Sequence, residues 1–257
     1  MLHLWLSLGK NYTIGMKRKH LPDTGSTNAV LREWLMQGKI QPPAALRADY
    51  QLSGKGQSGN SWRGDPGKNL LISFLLHPAF LSASEQFMLS KVAALALFEL
   101  LRDLELNPVI KWPNDLLLEE KKLAGILIEH GISGTEIKHS IIGIGLNVNQ
   151  KVFPVFPRPA TSLILEGKKK QKPEDLALVL EEKLMEGCRL LEEGGAEQIN
   201  AHYLEHLYGR GQVLPFSSAG REFTGIIRGI GAFGHLLVEQ DETLMEYGMQ
   251  EISFLPQ

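Results

Sequence analysis

A strand–turn–strand unit near the middle of the chain constrains the fold more than any other feature. Residues 111–115 read KWPND, a string that holds a cation, a proline and a carboxylate. Val109 and Ile110 precede it and an apolar run at 116–118 follows it, so the pattern predicts two buried strands joined by a tight turn. Charged groups on a loop between buried strands are typical of an active site, whereas a solvated surface pair would not need the Trp-Pro step.

Apolar periodicity over the first 207 residues predicts a sheet interleaved with helices. We expect strands at residues 12–21, 44–50 and 70–76, two more around the KWPND turn, and a hairpin of 124–129 with 140–148. Ser26 would cap a helix that ends before Gly38, and Ser84 would cap a longer second helix. Two further helices are expected at residues 173–192 and 196–207.

The last fifty residues have a different pattern. Short β-rich runs at 212–216, 222–230, 235–239 and 244–252 are separated by glycine-containing turns. Turn signals at a spacing of about ten residues predict a small all-β barrel. We therefore place a domain boundary near residue 208, which divides the chain into residues 1–207 and 208–257.

Composition narrows the class of protein. The 27 Lys and Arg against 29 Asp and Glu give a net charge of −2, so no overall basic field for DNA is expected, and the basic run 168–172 is interpreted as a solvated loop. No segment reaches the roughly 18 apolar residues of a membrane span, and residues 2–8 lack the charged start of a signal peptide. Cys188 is the one cysteine and is expected in a helical core or boundary position. These features predict a cytoplasmic protein that does not bind membranes.

Two segments, 54–59 and 229–234, spell the G-x-G-x-x-G string. Neither is expected to bind a dinucleotide, because that fingerprint must open a helix after a strand. The first loop nevertheless offers glycine-freed backbone amides beside Lys55, which suits an anion or an adenylate phosphate. Trp62 at the end of this loop favours that interpretation over a flexible surface loop, because an exposed indole is expected to pack over a ligand.

Together these segments resemble the biotin protein ligases, also called biotin–[carboxyl-carrier protein] ligases. The resemblance is strong over about residues 20–207 and loose afterwards, and it rests on residues 25–28, 51–62, 111–115, 121–127 and 143–149, with a weaker match at 161–163. It implies an α+β fold, in which a mixed β-sheet catalytic domain flanked by helices, the class II synthetase-like biotin/lipoate ligase fold, precedes a small C-terminal SH3-like β-barrel.

The resemblance also implies roles for individual residues. The residues implied to contact biotin are Ser26, Thr27, Asn28, Gln51, Gly54, Lys55, Gly56, Gln57, Trp62, Lys111 and Gly125. Those implied for ATP or the adenylate are Lys55, Lys111, Asn114, Asp115, Lys122 and Asn147. Lys111 would be the catalytic cation and Asp115 a Mg²⁺ ligand. The chain departs from the family pattern where Lys55 and Gln57 replace arginines, and where Gly25 replaces an acidic residue.

The implied reaction is ATP-dependent biotinylation in two steps. Biotin and MgATP give biotinyl-5′-AMP, and a lysine of a biotin carboxyl carrier protein, from acetyl-CoA carboxylase or another biotin-dependent carboxylase, then attacks it. A lipoate or octanoate ligase shares the scaffold and is the alternative enzyme. A biotin-sensing transcription regulator is disfavoured, because only about twenty residues precede the first matching segment, too few for a helix-turn-helix domain. A monomer and a homodimer both remain open.

Overall fold

The computed structural model describes residues 15–156 and 158–255 of the 257-residue chain. The apolar segment at residues 2–8 lies outside the described residues. Within them the chain forms two β-sheets, a two-stranded ribbon and four α-helices, so the predicted α+β class is confirmed. None of the described helices is both apolar and long enough to cross a bilayer.

The first unit holds nine strands and all four helices. Its elements in chain order are β1 (Lys17–Thr24), α1 (Thr27–Met36), β2 (Ala44–Gln51), β3 (Gly54–Lys55), β4 (Ser61–Trp62), β5 (Leu70–Leu76), α2 (Phe87–Asp103), β6 (Val109–Lys111), β7 (Asp115–Leu118), β8 (Lys121–Ser133), β9 (Glu136–Leu146), α3 (Pro173–Glu192) and α4 (Ala196–Glu205). Short 3-10 turns occupy Gln57–Gly59 and Ala83–Glu85.

Seven of these strands make a mixed sheet in the order β1-β2-β5-β9-β8-β7-β6. Only β1 and β2 run parallel, and every other neighbouring pair is antiparallel. β5 is buried along its whole length, because α2 and α3 cover one face of the sheet and α1 the other. Its nearly continuous apolar run fits a strand with both faces covered.

One expected helix start differs from the structure, and one expected cap makes no capping hydrogen bond. α2 begins at Phe87, and Ser84 does not cap it. Ser82 and Glu85 instead form a capping box around the preceding 3-10 turn, in which the Ser82 backbone N–H donates to Glu85 Oε2 at 3.1 Å. Ser26 does stand at the N-cap of α1, but its side chain makes no capping hydrogen bond. β1 begins at Lys17 and extends beyond its predicted end to Thr24, while residues 12–14 lie outside the described residues.

The second unit is a five-stranded antiparallel sheet. Its strands are β10 (Val213–Ser218), β11 (Arg221–Ile230), β12 (Leu236–Gln240), β13 (Thr243–Tyr247) and β14 (Ser253–Phe254), in the spatial order β13-β12-β11-β10-β14. Because β13 and β14 are its two edges among the described residues, the sheet is open, and closure into a barrel is not confirmed.

The two sheets share one apolar core. Phe216, Ile227 and Leu236 from the second sheet belong to the same buried cluster as Trp112 and Tyr203. Trp112 is 2% exposed, and its Nε1 donates to the carbonyl oxygen of Gly234 at 2.8 Å, which fixes the β11–β12 loop against the KWPND turn. The second sheet is therefore held close to the predicted active site.

Candidate active site

A cavity with about 860 Å³ of free space, including its open mouth, lies between the start of α1, the glycine loop at residues 51–62, the KWPND turn and strands β8 and β9. Most of the predicted biotin and nucleotide contacts line it. They are Ser26, Thr27, Asn28, Gln51, Lys55, Gly56, Gln57, Trp62, Gly125, Asn114, Asp115 and Lys122. The sequence segments that lie up to about a hundred residues apart are thus brought to one place.

The inner end of the cavity is a buried polar network. Gln51 Oε1 accepts hydrogen bonds from the backbone N–H of Thr27 at 2.7 Å and from Thr27 Oγ1 at 3.0 Å. Ser73 Oγ lies 2.7 Å from Thr27 Oγ1 and 2.6 Å from Asn28 Oδ1. Asn28 Nδ2 donates to Glu129 Oε2 at 2.8 Å. Because each side chain is held by another, this end presents polar atoms in fixed positions.

Three glycines make room for this arrangement. A side chain on Gly143 would overlap the carboxamide of Asn28. Gly125 and Gly145 face each other across β8 and β9, and the indole of Trp62 lies over both of them. Any larger residue at 145 would displace that ring. Trp62 Nε1 is buried and donates to no group among the described residues, which leaves one donor at the cavity wall.

The outer end of the cavity carries the charges. Lys122 Nζ lies 2.7 Å from Asp115 Oδ1 and 5.8 Å from the centroid of the Trp62 ring. A β-bulge between β7 and β8 lies next to this pair. Asn114 does not point freely into the cavity, because its Nδ2 donates to the carbonyl oxygen of Ile126 at 2.8 Å. This bond ties the KWPND turn to β8.

The structure places Lys111 differently from the expectation. Lys111 pairs with Asp115 in the β6–β7 hairpin, but it is absent from the cavity wall, and its Nζ lies 4.1 Å from the centroid of the Phe254 ring. Burial lowers the pKa of the Lys111 ammonium to about 8. The aromatic face supplied by the second sheet holds this cation away from the cavity. Lys122, which was also expected to contact ATP, lines the cavity.

Two other predicted contacts serve the scaffold. Asn147 is buried, and its Nδ2 donates to the carbonyl oxygen of Thr161 at 2.9 Å. Gly54 is buried behind the wall, where a side chain would crowd the backbone of Trp62 and the Gln51 amide. Neither residue lines the cavity. Gly54 therefore acts by letting the glycine loop pack closely against Trp62 and Gln51.

The glycine loop forms the cover of the cavity. β3 and β4 pair within it, and its tip is a 3-10 turn of three residues at Gln57–Gly59. No α-helix follows it directly, and the second G-x-G-x-x-G string lies at the end of β11 and in the loop after it, so neither string opens a helix, as expected. Gln57 Nε2 lies 2.7 Å from Met249 Sδ, which joins the loop to the second sheet's final turn.

Sequence reasoning missed several residues of the site. Ser73 is the one polar residue inside the apolar strand β5, and that exception was the available signal. Glu129 holds Asn28 and pairs with Arg32, a link that no spacing predicts. Met249 reaches the cavity only through packing of the second sheet against the first.

Donors for a metal ion are sparse. Among the described residues no group of three or more His, Cys, Asp or Glu side chains is placed to hold a metal. Asp115 is a single carboxylate at the charged end of the cavity. Mg²⁺ is commonly bound through one or two carboxylates together with substrate phosphates and water, so one carboxylate fits a magnesium–nucleotide complex and not a metal site made by the protein alone.

Comparison with known proteins gives consistent matches. Residues 21–147 match the family model described as the biotin/lipoate A/B protein ligase family. The bifunctional ligase/repressor BirA of Escherichia coli (strain K12) is 31% identical over 237 residues, which is 91% of this chain and 72% of that protein. The biotin–[acetyl-CoA-carboxylase] ligase of Paracoccus denitrificans is 39% identical over 134 residues, which is 50% of this chain and 53% of that protein.

A solved structure resembles the whole described fold. The biotin protein ligase from Aquifex aeolicus in complex with biotin and ATP superposes with a TM-score of 0.78 at 27% sequence identity. The match covers 94% of this chain and 99% of that one. Both units of the chain therefore have counterparts in a single known structure.

Proposed function

The chain belongs to the biotin/lipoate A/B protein ligase family, and we propose that its cavity activates biotin with ATP and that the chain transfers biotin to a carrier-protein lysine. In the first step a biotin carboxylate oxygen attacks the α-phosphorus of ATP, and pyrophosphate leaves. In the second step the lysine amine attacks the acyl carbon of biotinyl-5′-AMP, and AMP leaves. The name of the Paracoccus relative supports biotin as a substrate, and the Aquifex complex supports both biotin and ATP.

The buried network of Thr27, Gln51, Asn28 and Ser73 is the observation that carries the choice of biotin. The ureido ring of biotin has two N–H donors and one strong acceptor, so it can engage a wall of fixed hydroxyl and amide groups. A lipoyl dithiolane ring has neither donor nor strong acceptor. Such a ring would remove these polar groups from water without forming a hydrogen bond to any of them, so the network disfavours lipoate.

Lys122 is the cation placed to assist adenylation. A carboxylate must approach an anionic phosphate, and a fixed ammonium offsets both charges and the charge that grows in the transition state. Asp115, at 2.7 Å from Lys122 Nζ, positions that ammonium. Asp115 is also the residue that would hold Mg²⁺, which supplies Lewis-acid stabilisation of the phosphates. Lys55 on the loop adds a second cation at the wall.

No protein nucleophile is needed, because the mixed anhydride is itself the activated species. Cys188 is a poor candidate for such a role. It is buried in α3, and burial raises the pKa of its thiol to about 12. A free buried thiol also suits a reducing compartment, and we place the reaction in the cytoplasm on that ground.

The second unit belongs to the working enzyme in this proposal. We retain residues 1–207 as the adenylate-forming domain and 208–257 as an SH3-like domain, which the strand number and antiparallel order support. Met249 of the second unit lies in the cavity wall, and Trp112 anchors the β11–β12 loop. The acceptor is the biotin carboxyl carrier protein of a carboxylase, as the name of the Paracoccus relative supports.

Mass spectrometry of a carrier domain tests the proposal. The chain is incubated with MgATP and a carrier domain in the presence of either biotin or lipoate. We expect one biotinyl group on one carrier lysine, and little lipoyl transfer at equal concentration. Transfer of lipoate in preference to biotin would replace the proposal with the lipoate ligase alternative, and modification by neither would refute both.

A further inference from the structure

A second chamber opens directly from the candidate active site. It has about 790 Å³ of free space and is bounded by the start of α2, strand β8 and the loops of the second sheet. The two chambers have six wall residues in common, which are Gln57, Pro113, Asn114, Ile126, Leu127 and Met249. The chambers are therefore continuous, with the KWPND turn and the glycine loop at the passage between them.

The two chambers differ in charge. The active-site cavity is lined by Lys55, Asp115 and Lys122, whereas no Asp, Glu, Lys or Arg lines the second chamber among the described residues. His130 is its one titratable group. Burial and the neighbouring His139 lower the pKa of His130, so the imidazole is neutral at pH 7. No cation in this wall offsets the charge of a nucleotide phosphate, so the chamber favours an uncharged or apolar occupant.

The mouth of this chamber exposes large apolar side chains. Phe233 is 61% exposed and Met249 is 38% exposed. Phe233 lies next to Gly234, whose carbonyl accepts the Trp112 indole hydrogen bond, so this loop is tied to the KWPND turn beside the mouth. An apolar rim beside a catalytic cavity favours a partner that covers it, because each Å² of apolar surface removed from water contributes about 25 cal/mol.

We propose that this chamber is the port for the acceptor segment of the carrier protein, with apolar residues beside the target lysine covering Phe233 and the lysine stem passing Pro113 to the adenylate. This inference rests on the proposed function. It assigns the two substrates of the second step to opposite sides of the KWPND turn, so that the adenylate need not leave before the carrier docks.

The uncharged wall also suits the chemistry of transfer. A lysine amine attacks only in its neutral form, and removing an ammonium from water favours loss of its proton. The neutral nitrogen then forms the amide bond to the acyl carbon, and the bond from that carbon to the phosphate oxygen breaks. AMP leaves with the electron pair, and the second amine proton is released to water.

Substitution of Phe233 tests the proposal. Phe233→Ser should raise the KM for the carrier domain at least tenfold, while pyrophosphate exchange with biotin and ATP stays at the wild-type rate. Phe233→Leu should restore most of the affinity. Phe80→Ser is the matched control, since Phe80 is 37% exposed and lies away from both chambers. The position is exposed enough that the fold should tolerate these changes.

A second nucleophile separates docking from chemistry. Reaction of preformed biotinyl-5′-AMP with free hydroxylamine should proceed equally in wild type and Phe233→Ser. Equal carrier KM values in the Phe233 and Phe80 variants would overturn the proposal that the carrier's acceptor segment enters through this chamber. A change in oligomeric state on Phe233→Ser would overturn it too, by assigning the rim to a second copy of the chain. Absence of pyrophosphate exchange in wild type would instead refute the proposed function.

Discussion

Two lysines lie near the KWPND turn, and only Lys122 faces the cavity. Lys122→Met should reduce biotin-dependent pyrophosphate exchange by a factor of about 10² to 10³, because removal of one charge-stabilising donor typically costs about 3 kcal/mol. Lys111→Met, the matched control, should retain most of the exchange rate, since Lys111 Nζ lies over Phe254. The reverse pattern would return the catalytic role to Lys111.

Lys111 should also give the protein a pH-dependent stability. Its folded pKa of about 8 lies below the ordinary value of 10.5. The unfolded chain therefore binds more protons between these values, and the free energy of unfolding rises with pH across this window. The free-energy penalty for burying the charged ammonium is fully present below pH 8 and disappears above pH 10.5.

Lys111→Met removes that penalty, so its advantage over wild type should be greatest near pH 7 and should fall toward pH 10.5. At 1.36 kcal/mol per pKa unit the advantage is at most about 3 kcal/mol, less the lost contact with the Phe254 ring. Urea unfolding of both proteins at pH 7 and pH 10 measures it. A difference in stability that does not change with pH would contradict the lowered pKa of Lys111 in the folded protein.

At the scale of elements, the glycine loop is where this chain departs from the family, because Lys55 and Gln57 replace arginines there. Gln57 lines the cavity, and its Nε2 lies 2.7 Å from Met249 Sδ, so its partly exposed side chain lies at the cavity wall against the second unit. Gln57→Arg should slow the escape of biotinyl-5′-AMP about tenfold, because a charge-assisted hydrogen bond to an anionic oxygen contributes about 1.5–3 kcal/mol and Lys55 already covers part of it.

Rapid dilution of the preformed adenylate complex measures that escape. Gln57→Lys serves as a control that adds charge without the guanidinium fork. Adenylate release that is unchanged or faster in Gln57→Arg would show that the residue does not face the intermediate. Because Gln57 also lines the passage between the two chambers, the KM for the carrier domain is measured in both variants as well.

Elements were predicted from the sequence more accurately than side-chain directions. Apolar runs located β2, β5 and α3 closely, because strand and helix periods report burial directly. The predicted start of α2 was wrong, because Ser84 lies inside the 3-10 turn that Ser82 precedes, and the helix begins only at Phe87. The family resemblance assigns the catalytic role to Lys111, and the position of its Nζ over Phe254, which lies more than a hundred residues away, could not be predicted from local spacing.

At the scale of the whole molecule, the two units form one core. We expect a single cooperative unfolding transition, seen together by circular dichroism and tryptophan fluorescence, because Phe216 and Ile227 are buried in the same cluster as Trp112. Two separated transitions would show that the boundary near residue 208 divides independently folding domains. The boundary near residue 208 would then separate two units that differ in stability as well as in sequence pattern.

Trp112→Phe isolates the contact between the units. It retains most of the buried ring but removes the hydrogen bond from Nε1 to the Gly234 carbonyl, which leaves a buried acceptor unpaired. The free energy of unfolding should fall by about 1–3 kcal/mol, with one transition retained. Because the β11–β12 loop would be held less firmly, the KM for the carrier domain should rise while pyrophosphate exchange changes less. Trp34→Phe, outside this contact, is the matched control; equal effects of the two substitutions on carrier KM would show that the Trp112 bond does not position the loop.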